Sequence, residues 1–251
     1  VGVHVIVQPF AAETRERRAE IAFALTRNLE HPHIQSLRAL VETREDERFV
    51  REVGQSLSVN AERLVVTRVG RRLTFGAAAR YAGRELAGQV VAVANADIFF
   101  DATLRRLGDA RTLELPRSVL ALARWDWVCA GTVFPSQEDD RCVRFRARID
   151  SQDAWVFRAP LAAAEALDVE LGRPRCDNFI AARLSPHVSS PSLAIRAIHI
   201  QDRIFFPDDD DNNNSTFPPR QTSRQLGSYS SSATEIKGGS KAVPLSDQWL
   251  F

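Results

Sequence analysis

The chain has 251 residues, a net charge of +1, and 44% hydrophobic against 26% charged residues. That length suffices for one or two domains with a buried core, and a charge so balanced offers no global field for nucleic acid or an acidic membrane surface. No apolar run approaches the about 20 residues that span a bilayer, and no GxGxxG or Walker loop, GxSxG elbow or HExxH stands in the sequence, which removes the commonest dehydrogenase, P-loop, hydrolase and zinc-protease readings.

Only Lys237 and Lys241 among the 33 basic residues are lysine, and there is no methionine, even at position 1. The chain is therefore expected to be a fragment or a processed form. Its location stays open between the Golgi or endoplasmic-reticulum lumen, through an anchor upstream, and the cytoplasm. Cys129, Cys142 and Cys176 lack zinc-ligand spacing. They fit buried thiols, with a Cys129–Cys142 disulfide in an oxidising lumen left open.

Val3–Val7 predicts a first buried strand. Glu13 to Leu29 predicts a helix, because Ile21, Leu25 and Leu29 fall on one face. Ile34 to Glu42 is a weaker strand, residues 43–60 a surface helix or loop, and Leu64–Thr67 a short strand. Thr74 is placed to cap a helix running to about Leu86. Next comes Val90–Ala94, an uninterrupted apolar run of the kind buried inside a parallel sheet. It breaks at Asn95-Ala96-Asp97, resumes at Ile98–Phe100 and ends on Asp101, which starts a short helix to Leu107. Val119–Ala123 is a strand leading into Arg124-Trp125-Asp126-Trp127. Residues 134–148 read as an irregular loop, Ala154–Phe157 as a strand, Leu161–Leu167 as a short helix, Asn178–Leu184 as a helix capped by Asp177, and Leu193–Ile200 as a final alternating strand. Strands alternating with helices predict an α/β protein with a mostly parallel sheet flanked by helices. Residues 1–206 form the expected domain. Residues 207–251, with Asp208–Asp211 and a Ser/Gly/Pro-rich stretch, read as a disordered tail.

The carboxyl end of a buried parallel strand is where ligands meet a sheet, so Asp97 is the working centre. Asn95-Ala96-Asp97 resembles the DXD-type segment of glycosyltransferases with the GT-A fold, a Rossmann-like sheet. The helix of Arg17 and Glu20 and Arg72-Leu73-Thr74-Phe75 before it, and Ser151-Gln152-Asp153-Ala154-Trp155, Gly172-Arg173-Pro174-Arg175-Cys176-Asp177-Asn178 and Ile198-His199 after it, stand in matching order. The set, over roughly residues 3–205, is similar to a subgroup of family-2-like nucleotide-sugar transferases.

The resemblance implies that Asp97 and His199 hold a divalent metal, Mn2+ or Mg2+, against the diphosphate of a nucleotide-sugar donor. It also implies that Asp177 is the base of an inverting transfer to a glycan, protein or lipid acceptor. Asn95 and Arg72 are the further donor-binding candidates. Asp153, Trp155 and Asn178 are the acceptor-binding ones, since an aromatic beside a carboxylate suits a sugar ring. Each has a plain alternative. Asp97 could cap the next helix, Asp177 its own helix, His199 and Trp155 could be core residues, Asp153 a turn residue and Arg72 a surface arginine. Asn95–Asp97 holds one carboxylate where a full DXD has two, and Gln201 stands where similar proteins show a second histidine. The alternative function is therefore a degenerate nucleotide-sugar-binding module of a larger protein.

Overall fold

The computed structural model describes residues 2–57, 62–108, 118–128, 142–145, 152–162 and 164–200. The expected tail and Cys129 lie outside them. In chain order the elements are β1 (Val3–Val7), α1 (Arg15–Glu30), β2 (Ile34–Val41), α2 (Arg44–Ser56), β3 (Leu64–Arg68), α3 (Phe75–Glu85), β4 (Val90–Ala94) and β5 (Ile98–Phe100). They continue with β6 (Val119–Leu122), β7 (Arg124–Trp127), β8 (Val143–Phe145), β9 (Ala154–Arg158), α4 (Cys176–Leu184), β10 (Val188–Ser189) and β11 (Ala197–His199).

The strands form two sheets. One has seven strands in the order β10-β6-β9-β4-β1-β2-β3, and the other has four in the order β5-β11-β7-β8. In the large sheet β1 runs parallel to β2 and β4, and β2 to β3, so the first half is a right-twisted parallel array with helical crossovers. β9 enters antiparallel between β4 and β6. This is the α/β sheet flanked by helices that the sequence predicts.

Both faces of the large sheet are covered, which is why β1 and β4 are apolar at every position. On one face Val3, Val5, Val7 and Ala92 meet Ile21, Leu25 and Leu29 of α1 and Phe49, Val50 and Val53 of α2. On the other, Ile6, Val91, Val93, Trp155 and Phe157 meet Phe75, Ala78 and Ala82 of α3 and Ile180 and Leu184 of α4. Three threonines start the helices. Thr14 accepts from the backbone N–H of Arg17, Thr43 forms a capping box with Asp46, and Thr74 accepts from Ala77. Each such cap contributes about 1 kcal/mol.

Several expectations change. The apolar run around Asp97 is two strands in two different sheets, because the Asn95–Asp97 turn, closed by Ile98 N–H on Asn95 C=O at 3.2 Å, redirects the chain. The final strand is only Ala197–His199, because Pro191 accepts the backbone N–H of Ala194 and Ile195 in a turn. Among the described residues of Leu161–Leu167 there is a 3₁₀ turn at Ala164–Ala166 in place of the expected helix. Within the segment read as irregular, Val143–Phe145 pairs antiparallel with β7. Cys142 is disulfide-bonded, against the reading of three buried thiols, while Cys176 is free and buried. No helix of the described residues is long and apolar enough to cross a membrane.

α3 is seated through a glycine. Gly76 donates its N–H to Leu167 C=O at 2.8 Å, and a Cβ there would lie 2.7 Å from the Ala164 carbonyl oxygen. Backbone cannot step aside as a flexible side chain can. Gly76→Ala is therefore expected to lower stability by about 1–3 kcal/mol, read as a lower midpoint in urea unfolding, even though alanine is the better helix former.

Candidate functional site

Strand register assembles the site. β11 lies between β5 and β7, antiparallel to the first and parallel to the second, so His199 sits opposite both Ile98 and Asp126. Asp97 immediately precedes Ile98. Two residues about a hundred positions apart thus become neighbours, with His199 Nε2 3.2 Å from Asp97 Oδ2. The other ring nitrogen, Nδ1, faces Asp126 Oδ1 at 3.9 Å. Asp126 is fully buried. Trp127 packs with Phe99 and Ile198 in a third apolar cluster, and alternation along β7 turns Asp126 the other way.

A second side chain reaches Asp97 from α1. Arg17 donates Nη2 to Asp97 Oδ2 at 2.6 Å and Nη1 to Glu20 Oε2 at 2.7 Å. Glu20 has no exposed surface. Burial pushes the Asp97 carboxyl up, but the hydrogen bonds and charges of His199 and Arg17 outweigh it. Together they hold Asp97 well below the usual carboxylate range.

The acceptor-side candidates gather at the start of β9. Asn95 donates Nδ2 to Asp153 Oδ1 at 2.8 Å, and Asn95 N–H donates to Asp153 C=O at 3.0 Å. Arg124 Nε lies 3.2 Å from Asp126 Oδ1 and 4.0 Å from Asp153 Oδ2. The Asp153 carboxyl is raised, first by burial and then, against the opposing charge of Arg124, by the negative charge of Asp97.

Asp177 is pushed up to about 6, by burial first and the charge of Asp153 second; hydrogen bonds from the Gln152 backbone and the Cys176 and Trp155 side chains oppose the rise. The expected capping role is not found. α4 begins at Cys176, its N-cap is Arg175 with φ 70°, and no side chain caps it. Asp177 lies inside the first turn, with its carboxyl turned to β9. Its neighbour Asn178 is exposed.

Trp155 does not offer a face to a sugar. It is 2% exposed, packs edge-on against Phe75 at 5.8 Å, and gives its indole N–H to Asp177. The acceptor-stacking expectation gives way to the alternative reading of Trp155 as a core residue. Arg72 is exposed and donates to Leu171 C=O at 2.9 and 3.2 Å, which ties the turn before α4 to the start of α3. Asp101 accepts from Thr103 and starts the next 3₁₀ turn, as its place predicts. Asp97, Asn95, Asp153, Asp177 and His199 are linked directly or through one shared neighbour.

Sequence reasoning gave no role to Arg17, Arg124 or Asp126. An Arg17–Glu20 pair at i, i+3 reads as a solvated helix pair. Only the burial of Glu20 marks it as inward.

Two donor atoms of the kind that a divalent cation takes lie side by side. Asp97 Oδ2 and His199 Nε2 converge, and the Asp126 carboxylate stands behind the imidazole at 3.9 Å, longer than a hydrogen bond. Asp153 Oδ2 is buried without a hydrogen-bond partner. Among the described residues no group of three or more His, Cys, Asp or Glu side chains is arranged to hold a metal ion. Asp97 and His199 would thus be the protein ligands, with phosphate oxygens and water completing the shell.

No family model matches the chain. No curated protein matches it. Solved structures do. A mannosyltransferase from Pyrobaculum calidifontis, solved with GDP-Man and Mn2+, is 13% identical with a TM-score of 0.50, over 80% of this chain and 56% of that one. TarS of S. aureus, solved with UDP-GlcNAc, is 12% identical with a TM-score of 0.50, over 80% of this chain and 59% of that one. The chain spans a little over half the length of these two structures. At such identity the likeness concerns architecture, and the chain has the GT-A-type fold.

Proposed function

We propose that this chain transfers a sugar from a nucleotide-diphospho-sugar to an acceptor hydroxyl on a glycan, protein or lipid, with inversion at the anomeric carbon. The observation that carries the reading is the split between carboxylates at one sheet edge. Asp97 is held ionised between Arg17 and His199, while Asp177 is pushed up to about 6. Environments that push carboxyl groups apart mark a charge-binding group and a base.

In this reading Asp177 accepts the proton of the acceptor hydroxyl. The freed oxygen attacks the anomeric carbon from the face opposite the diphosphate, the carbon–oxygen bond to the diphosphate breaks, and nucleoside diphosphate leaves. A divalent cation held by Asp97 and His199 would neutralise the charge on the departing diphosphate. Asn95 holds Asp153 in place, and Asp153 in turn keeps the Asp177 carboxyl basic. Trp155 fixes the orientation of Asp177. Arg72 steadies the 171–175 turn from which Asp177 is presented.

One observation favours a second reading, a nucleotide-sugar-binding module without turnover. Asp97 is already bonded by Arg17, and its protein ligand set is small. A panel of nucleotide sugars with Mn2+ decides. Release of nucleoside diphosphate that depends on an acceptor, and that Asp97→Ala abolishes, supports the transferase. Thermal stabilisation by nucleotide sugar with no release from any donor supports the module.

For the transferase, Asp177→Asn is expected to lower kcat/KM by about 10²–10⁴-fold, the range of a lost general base. The wild-type kcat/KM should rise with pH through about 6 and then level, since the base works ionised. Trp155→Phe keeps the ring in the core but removes a donor that lowers the Asp177 pKa, so this midpoint should move to higher pH.

Stability should run the other way. A carboxyl whose folded pKa is raised above its unfolded value costs the folded state stability as pH climbs between the two, and the cost is full above about 6. Asp177→Asn should therefore melt higher than wild type at pH 8 and lose that advantage at pH 4, by calorimetry.

A further inference from the structure

We propose that Arg17 is a switching donor-binding residue, which bonds Asp97 until a divalent cation takes that oxygen and then turns its guanidinium to the donor's diphosphate. The inference rests on the proposed function and goes beyond it, because neither the acidic motif nor the base requires an arginine from α1.

Arg17 and His199 both address one atom, Asp97 Oδ2, at 2.6 and 3.2 Å. A cation held between Asp97 and the His199 nitrogen nearest it would share that oxygen, and a guanidinium bonded to it would face a like charge across a short gap. The two cannot both be held there at full strength, so cation and Arg17 compete.

The side chain is built to let go at one end only. Nη1 is bonded to Glu20, three residues along the same helix and wholly buried. Nη2 makes the bond to Asp97. The Arg17 side chain keeps 33% of its surface exposed, so it is not locked in the core. Release from Asp97 thus swings Nη2 about an anchored fork rather than freeing the residue. It swings in the first turn of α1, beside N–H groups that favour an anion. A diphosphate on such a cation would bring phosphate oxygens close to the carboxylate that Nη2 had bonded. A planar guanidinium suits phosphate oxygens better than any other side chain. A buried Glu20 also bears on why this position carries arginine: a neutral side chain would take a cationic partner from two buried carboxylates at once.

The test is binding, read without turnover. Free Mn2+ is followed by electron paramagnetic resonance for wild type, Arg17→Lys and the double variant Arg17→Gln/Glu20→Gln, which keeps the net charge and removes the buried acid with its partner. UDP and GDP binding is then titrated at saturating Mn2+. The double variant is expected to bind Mn2+ alone about tenfold more tightly than wild type, and nucleoside diphosphate about tenfold more weakly, opposite shifts of an ordinary coupling size. Arg17→Lys keeps a cation but cannot bridge two partners with one fork, so it should fall between. It also serves if the double variant does not fold. Equal Mn2+ affinity in all three proteins, or Mn2+ and diphosphate affinities that fall together, overturns the switch while leaving the cation site standing. No Mn2+ uptake by any of them overturns both.

Discussion

One carboxylate oxygen, Oδ2 of Asp97, is the point on which the architecture closes. A carboxylate this deeply buried is costly unless it is paired and hydrogen-bonded. Its two partners come from opposite ends of the folded unit. Arg17 stands 80 residues before it on α1, and His199 arrives on the last described strand. Neither partner suffices alone for an anion with so little water. The chain reaches its low-energy state only when α1 has packed on the sheet and β11 has slotted between β5 and β7. Folding closure and site assembly are the same event. Losing one partner of such a buried pair typically costs about 3–5 kcal/mol.

From Asp97 the charges alternate outward. Glu20, Arg17, Asp97, His199, Asp126 and Arg124 form a string in which each member touches one of opposite sign or a titratable ring, and Asp153 lies at its end beside Arg124. The second sheet exists largely to carry it. β5, β11 and β7 are each three or four residues long, too short for a stable sheet by themselves. Their outer faces are paid for by the Phe99, Trp127 and Ile198 cluster. Their register points Asp126 and His199 to the large sheet's edge. A shift of one residue in β11 would turn His199 to the other face and leave Asp97 with Arg17 alone.

How much of this is legible in the sequence follows from what sequence patterns encode. Apolar periodicity records burial on one face or two, so β1, α1, α3 and β4 are readable, and with them the α/β class. It does not record which sheet a strand joins. Ile98–Phe100 looks like the rest of β4 because both segments are buried, and only the Asn95–Asp97 turn separates them. Depth is equally silent. Asp153 and Trp155 fall on the same side, as the period of two requires, yet one reaches the site and the other stays in the core with only its N–H emerging. The helix start at Cys176 was hidden because aspartate is a favoured cap. The αL conformation at Arg175 comes from a turn tied by Arg72, 99 residues away from Leu171, which no local rule can see. Arg17 was hidden by the reverse error, a helix pair that looks solvated until the burial of Glu20 is known.

The release of Asp177 from capping decides how its chemistry works. A carboxylate in a helix's first turn is ordinarily stabilised as an anion by the helix dipole. Here burial and the charge of Asp153 overcome that advantage and lift it to about 6. A carboxyl at that value is roughly nine-tenths ionised at pH 7 and far more basic than an exposed aspartate. Raising it much further would leave it protonated at neutrality, and lowering it would waste its basicity. Three hydrogen bonds from Gln152, Cys176 and Trp155 supply the restraint on one side, and Asp153 supplies the push on the other. The same Asp153 is fixed by Asn95, two residues before Asp97. The turn that carries Asp97 therefore also bears on the Asp177 carboxyl. In the proposed transfer, a change to Asn95–Asp97 would therefore act on the charge-binding carboxylate and on the base together.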